Sequence, residues 1–285
     1  MSKPLNIAHR GGAQLWPENT LFAFVSAAKA GYDGAELDVQ MTRDEKLVVF
    51  HDFRLKRELC RSPDGHWVRR KRIAPLPLIH DLTFDELQAF DVGRPEPGSV
   101  YAIKHPQLSP RDGEHMPSLA QVVAGVRAVK PDFQLFVEIK TSLDDPALSA
   151  APEAVAEAAL AQLLDAKFLA NTVMVGFDWR GLVHAKRLEP ELRCWFSTER
   201  RARVTADAVK QAGGDGWFCS VNRATGSNIR EARALALGFG VWTVNEASEM
   251  RALADLQVDA ICTDRPDRLS ALLESYSPSN RAVER

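Results

Sequence analysis

Apolar positions along the chain fall into two rhythms. Short runs suited to strands recur at 5–8, 34–39, 134–139, 172–175, 193–196, 216–219, 239–244 and 260–262. Between most of them lie Ala- and Leu-rich stretches with apolar residues at helical spacing, at 21–30, 119–129, 154–164, 229–237, 250–256 and 269–273. Strand followed by helix, repeated for eight strands, is the arrangement of an α/β fold of the (β/α)8 TIM-barrel type. A doubly wound dinucleotide-binding sheet needs a Gly-rich turn directly after a strand. Gly238-Phe239-Gly240 instead leads into its strand and has no third glycine, which excludes that alternative.

The rhythm breaks once. From His51 to a helix expected near Ser118 there is no clean periodicity, and the stretch holds Gly93-Arg-Pro-Glu-Pro-Gly98 and a basic cluster, Arg69-Arg70-Lys71-Arg72, read as a solvated loop. Thr83, followed three residues later by Glu86, has the spacing of a capping box and predicts a short helix. A connection of this length inside a compact domain is functional or semi-independent. Its place is after the second strand, over the C-terminal mouth of a barrel. The segment of about 53–116 is therefore expected to be a cap-like insertion in a single domain spanning 1–285. The polar tail from Ser277 to Arg285 is expected to fray.

Polar residues that interrupt apolar strands carry the candidate chemistry. Glu36 and Asp38 lie two apart in the second strand, so alternation points both to one face and Leu37 and Val39 to the other. A turn at Arg43-Asp44-Glu45-Lys46 returns the apolar run 47–50 toward them and delivers His51. Parallel carboxylates repel unless a cation lies between them, and a histidine moves protons near neutral pH. The third strand adds Glu138 and Lys140, again two apart at its C-terminal end. An ion pair between those two is one reading. A third carboxylate beside Glu36 and Asp38 is the other, giving an oxygen-rich site suited to Mg²⁺ or Ca²⁺. The first strand ends in His9-Arg10-Gly11-Gly12, where barrel enzymes place catalytic groups; Arg10 suits phosphate oxygens, and the glycines permit close approach. Trp242 could wall a pocket, Asn245 could donate to an oxygen ligand, and Asp264 is either a helix cap or a partner of another site residue. His66, His80, His105, His115 and His184 fall outside strand ends and read as solvent-facing.

Composition narrows the remaining classes. With 45% hydrophobic and 26% charged residues the chain can build a full-sized core, and its net charge of −2 gives no electrostatic footprint for nucleic acid. No run approaches the roughly 18 apolar residues that span a bilayer, so no transmembrane segment is expected. The N-terminal residues lack the apolar stretch of a signal peptide. Cys60, Cys194, Cys219 and Cys262 show no Cys-x-x-Cys spacing, and the last three sit in strand-like runs. Buried reduced thiols and a cytoplasmic location are expected. A nucleophile-elbow Gly-x-Ser-x-Gly, a P-loop and a His-Glu-x-x-His helix are all missing.

His9-Arg-Gly-Gly, Pro17-Glu-Asn-Thr, Glu36-Leu-Asp, His51-Asp52, Pro117-Ser-Leu119, Glu138-Ile-Lys140, Val241-Trp-Thr-Val-Asn245 and Thr263-Asp-Arg-Pro-Asp267 occur in that order. This ordered set closely resembles the glycerophosphodiester phosphodiesterases, over about residues 5–270. The resemblance implies a (β/α)8 barrel with an insertion after the second strand. It implies His9 and His51 as the acid–base pair, and Glu36, Asp38 and Glu138 as ligands of a divalent cation. Arg10 and Lys140 would contact phosphate, and Trp242 would lie near the glycerol side. The expected substrate is a small glycerophosphodiester, cut to glycerol 3-phosphate and an alcohol; attack by water and attack by the glycerol 2-hydroxyl are both open. One departure is Val175-Gly176-Phe177-Asp178, where family members usually carry a serine before Phe-Asp; Gly176 would remove a hydroxyl near the mouth. A lysophospholipid or other phosphodiester on the same site is an alternative, given an apolar groove under the insertion from Trp67, Val68, Leu76, Leu78 and Ile79. A non-catalytic barrel is a third, and the filling of every required charged position argues against it.

Overall fold

Strand β1 (Leu5–Ala8) pairs in parallel with β2 (Gly34–Met41) on one side and β9 (Ala260–Thr263) on the other, and this double pairing closes a barrel. The computed structural model describes residues 3–69, 75–199 and 204–276. Its other strands are β3 (Leu47–Val49), β4 (Gln134–Ile139), β5 (Thr172–Gly176), β6 (Arg193–Thr198), β7 (Gly216–Ser220) and β8 (Gly238–Trp242). All but β3 pair in parallel around the barrel in the order β1, β2, β4, β5, β6, β7, β8, β9. The (β/α)8 barrel expected from the alternation is the fold of the chain.

The additional strand, β3, belongs to the returning run after the 43–46 turn. It pairs antiparallel with the end of β2, through Val39 with Val49 and Met41 with Leu47. Thr42 N–H donates to the Lys46 carbonyl, and Glu45 supplies the left-handed residue of the turn at φ 57°. Hydrophobic alternation described this hairpin correctly; only its classification outside the barrel needed the pairing.

Helices α1 (Leu21–Lys29), α2 (Phe84–Leu87), α3 (Val100–Lys104), α4 (Leu119–Val129) and α5 (Pro152–Asp165) come from the first half of the chain. The second half supplies α6 (Trp179–Leu188), α7 (Ala206–Gln211), α8 (Gly226–Ala234), α9 (Ala247–Asp255) and α10 (Pro266–Glu274). Helical spacing did not reveal α6 and α7. In α6, Gly181 lets the helix pack closely on α5, where a Cβ would lie 2.8 Å from the Pro152 carbonyl oxygen. The six residues of α7 are too few to display a period. No helix among the described residues is long and apolar enough to cross a membrane.

Two apolar layers follow from strand alternation. Leu37, Val39, Val137 and Ile139 pack outward against the helices. Ile7, Phe136, Val173, Val175 and Phe218 fill the barrel, with Trp195 packed against them. The inner set leaves little room: a Cβ on Gly216 or on Gly238 would stand 2.5 Å from the Trp195 ring.

The segment between β3 and α4 has a core of its own, including Leu55, Cys60, Val68, Ile79, Leu87 and Met116, which is continuous with Val48 and Phe50 of the hairpin. The capping box at Thr83 and Glu86 opens α2 as its spacing predicted. Val68, Leu78 and Ile79 are buried in this segment, Leu76 packs against its core, and Trp67 donates from Nε1 to the Arg94 carbonyl. The apolar groove expected from these residues is not open: packing of the segment consumes them. Arg69 pairs with Glu96; Arg70, Lys71 and Arg72, like the 277–285 tail, lie outside the described residues. All four cysteines are free and buried.

Filling of the barrel by Trp195 yields a stability prediction. Gly216→Ala should destabilise the protein by about 1–3 kcal/mol through overpacking. The loss should shrink when Trp195 is also changed to Phe, because the contacting ring is smaller. Urea unfolding of the four proteins measures the cycle, and equal losses in both backgrounds would rule out the Trp195 contact as the cause.

Candidate active site

Register brings the three carboxylates together. Glu36 and Asp38 both point inward from β2, and Asp38 stands beside Glu138 across the β2–β4 pairing. They are 2%, 1% and 8% exposed, and one carboxylate oxygen from each lies within 4.8 Å of the others. The expected coincidence of the three is therefore met in space.

The cations are arranged around them. Lys140 Nζ lies 2.9 Å from Glu138 and 3.3 Å from Asp38, so the ion pair and the carboxylate cluster anticipated as rival readings coexist. Arg10 sits in the 3-10 turn His9–Gly11 with φ 50°. Its backbone N–H donates to Glu36 at 3.1 Å, its Nη1 donates to Glu18 at 3.1 Å, and its Nε lies 3.3 Å from Asp38. Arg10 Nη2 makes no hydrogen bond among the described residues. The turn is possible because Gly11 packs directly on α1, where a Cβ would stand 2.7 Å from that of Ala23.

Electrostatics divides the carboxylates. Burial disfavours ionised Asp38, but His51, Lys140, Arg10 and a hydrogen bond from Asn19 outweigh it and hold its pKa far below the usual carboxylate range. Glu36 goes the other way: burial, Asp38 and Glu138 raise it well above that range, and Arg10 relieves this only in part. Glu18 is also buried, yet Arg10, Lys56 and the Tyr101 hydroxyl hold it low. Burial opposes the charge on Arg10 and on Lys140, and the surrounding carboxylates more than restore it in both.

Both sequence-selected histidines face this cluster. His9 Nδ1 lies 2.6 Å from Asp264 Oδ1, with Nε2 3.8 Å from Glu36. Of the two readings open for Asp264, the partner holds; the N-cap of α10 is Arg265. Burial works against its ionisation, but His9 and Asn245 bring its pKa down to about 2. His51 Nδ1 lies 3.3 Å from Asp52, which Lys56 approaches at 3.1 Å. His9, Arg10, Glu36, Asp38, His51, Glu138, Lys140 and Trp242 line one open cavity of about 540 Å³, together with Phe177 and Glu199.

Five placements differ from the sequence reading. Asn245 does not line the cavity; its Nδ2 donates to Asp264 at 2.7 Å and its Oδ1 accepts from the Asp264 N–H at 3.0 Å. A side chain at Gly176 would meet Leu182 of α6 at 2.9 Å, so the missing serine hydroxyl would face the helix layer and not the mouth. His105 is half-buried and stacked on Tyr101 at 3.9 Å, its Nδ1 2.7 Å from the Tyr101 carbonyl. His80 and His184 are half-buried too, while His66 and His115 are exposed. Sequence reasoning gave Glu18, Asn19 and Tyr101 no role. Glu18 and Asn19 carried a signal, being polar residues at a helix start within the quoted Pro17-Glu-Asn-Thr motif; Tyr101 carried none.

Trp242 forms a wall, edge-on to Phe177 with ring centres 5.3 Å apart and with Nε1 donating to the Phe218 carbonyl. A second cavity of about 730 Å³ shares Phe177 and Glu199 with the first and is flanked by Leu143 and Trp179.

Comparison with known proteins agrees with this geometry. Residues 9–268 match the model of the glycerophosphoryl diester phosphodiesterase family. A glycerophosphodiester phosphodiesterase of Bacillus subtilis is 26% identical, over 95% of this chain and 87% of its own. A crystal structure from Silicibacter pomeroyi, provisionally assigned as a glycerophosphoryl diester phosphodiesterase, superposes with a TM-score of 0.88 at 31% identity, covering 96% of this chain and 94% of that one. An Oleispira antarctica phosphodiesterase, solved with the product sn-glycerol-3-phosphate, shares the fold with a TM-score of 0.74 at 22% identity, covering 96% and 98% of the two chains. The chain is an enzyme of the glycerophosphoryl diester phosphodiesterase family.

Proposed function

We propose that this chain hydrolyses glycerophosphodiesters to glycerol 3-phosphate and an alcohol, using a divalent cation held by Glu36, Asp38 and Glu138 and a His9–His51 acid–base pair. The charge balance of the mouth carries the reading. Four buried carboxylates, Glu18, Glu36, Asp38 and Glu138, face two permanent cations, Arg10 and Lys140. Two negative charges are left over, the complement of one divalent ion. An all-oxygen donor set suits Mg²⁺ or Ca²⁺ better than zinc. When bound, such a cation screens the negative charge of the phosphodiester.

The chain's own groups supply the remainder. Arg10 offers Nη2, and Lys140 a further Nζ proton, to the phosphoryl oxygens, where they stabilise charge as the bond breaks. Because His9 Nδ1 donates to Asp264, Nε2 is the atom left to accept or deliver a proton at the substrate, and Asn245 fixes Asp264 for that task. His51, oriented by Asp52 through Nδ1, uses its own Nε2. One histidine takes a proton from the attacking oxygen, of water or of the glycerol 2-hydroxyl, and the other returns one to the departing alcohol, each contributing about 10²–10⁴-fold. Where the 2-hydroxyl attacks, water then opens the cyclic phosphate to glycerol 3-phosphate. The Trp242 face walls the glycerol side, and the adjoining cavity beyond Phe177 gives the alcohol room. We read the 285 residues as one catalytic domain, with the inserted segment joined to it through the shared Val48 and Phe50 core, and the free thiols support a cytoplasmic location.

Glycerol 3-phosphate release from glycerophosphocholine and glycerophosphoethanolamine tests the assignment, with lysophospholipids as the competing panel. Activity should vanish with EDTA and return with the cation, and His9→Ala should lose about 10²–10⁴-fold in kcat. Full activity in His9→Ala, or turnover of lysophospholipids alone, would overturn it.

The raised Glu36 pKa adds a stability test. A carboxyl favoured in its protonated form by the fold contributes stability below its unfolded pKa and loses it as pH rises through the higher folded value. At pH 7.5 and without divalent cation, Glu36→Gln should therefore raise the thermal midpoint. The same change should abolish the rise that Mg²⁺ or Ca²⁺ gives the wild type. A cation response of undiminished size in Glu36→Gln would contradict the ligand assignment.

A further inference from the structure

Behind Arg10, the inserted segment reaches the barrel through Tyr101. Tyr101 of α3 donates from its hydroxyl to Glu18 Oε2 at 2.6 Å, and Glu18 Oε1 in turn holds Arg10 Nη1 at 3.1 Å. We propose that Tyr101 is a positioning residue for phosphate, acting through Glu18 on Arg10, so that the insertion completes the phosphate subsite. The inference rests on the phosphate-binding role of Arg10 in the function proposed above.

Three features support this over a merely structural contact. The ring is fixed independently of the barrel: His105 stacks on it at 3.9 Å, Lys56 Nζ lies 5.0 Å from its centre, and its backbone N–H donates to Glu58 at 3.2 Å. The contact is dry, since Tyr101 and Glu18 are both buried. Glu18 also has no other side-chain donor among the described residues for Oε2. A buried carboxylate deprived of that donor must recover its lost interaction elsewhere. The nearest cation is Arg10, and a carboxylate turning further onto the guanidinium competes with a phosphoryl group for the same donors.

Tyr101→Phe keeps the ring and removes only the hydroxyl. In the cation-loaded enzyme it should raise KM for glycerophosphocholine and the inhibition constant of glycerol 3-phosphate in parallel. The expected size is about tenfold, the scale of one hydrogen bond to a charged group, with a much smaller change in kcat. Ile103→Ala, on the same helix at a position 69% exposed, should leave both constants unchanged. Glu18→Gln in the Tyr101→Phe background should add less than it does alone, because the two act in series. If Tyr101→Phe does not fold, Glu18→Gln alone reads the same link and must shift both constants. Wild-type turnover with unshifted constants in these variants overturns this inference alone. A wild type that neither cleaves the diester nor binds glycerol 3-phosphate overturns the proposed function, and this inference with it.

Discussion

Unbalanced negative charge, confined in a small space, governs the mouth of this barrel. Glu36 and Asp38 cannot avoid one another, since a strand period of two aims both inward, and the β2–β4 register sets Glu138 beside them. Burying ionised carboxylates without compensation costs several kcal/mol each. The surroundings answer that cost unequally. Asp38 receives Lys140, Arg10 and Asn19, whereas Glu36 receives the Arg10 N–H, the more distant Arg10 charge and His9 Nε2 at 3.8 Å, against the repulsion of its neighbours. The asymmetry leaves one oxygen cluster short of a positive partner. Such a deficit is costly in a scaffold and would serve the cation and phosphate binding proposed above.

The same economy of partners fixes the directions in which the other groups act. Each histidine has one ring nitrogen engaged by an aspartate, which leaves the other nitrogen toward the cavity. Arg10 is held at three points, by Glu36 through its backbone and by Glu18 and Asp38 through its side chain. The insertion, in this light, is less a lid than a brace. Leu55, Cys60, Val68, Ile79, Leu87 and Met116 are used in its own core, and what it turns toward the site is polar: Tyr101 toward Glu18, and Lys56 toward Asp52. The two cavities meet at Phe177 and Glu199, with Trp242 edge-on to Phe177.

What could be read from the sequence was whatever has a short period or an isolated exception to one. Two carboxylates in an apolar strand are visible because burial makes them anomalous, and Thr83 with Glu86 is visible because a capping box spans one helical turn. The parallel barrel itself follows from repetition. Contacts set by the meeting of distant segments carry no such mark. Tyr101 lies 83 residues from Glu18, and nothing local to Val100-Tyr101-Ala102 distinguishes a ring that reaches a buried carboxylate from one that covers a helix. Asn245 illustrates a related ambiguity: a strand-end amide can face the ligand or the group behind it, and the position of Asp264 decides. Trp67, Val68 and Ile79 looked like a groove because composition reports apolarity without reporting which surface it covers.

Glu36 sits in a cluster short of positive charge, which favours its protonated form until the proposed divalent cation binds. Calorimetric titration of the cation-free enzyme with Mg²⁺ or Ca²⁺ near pH 7, repeated in buffers of different ionisation enthalpy, counts the protons released on binding. Measurable proton release is expected in the wild type, and its loss in Glu36→Gln. Cation binding with no proton release in the wild type, or with the same release in both proteins, would contradict this reading of Glu36.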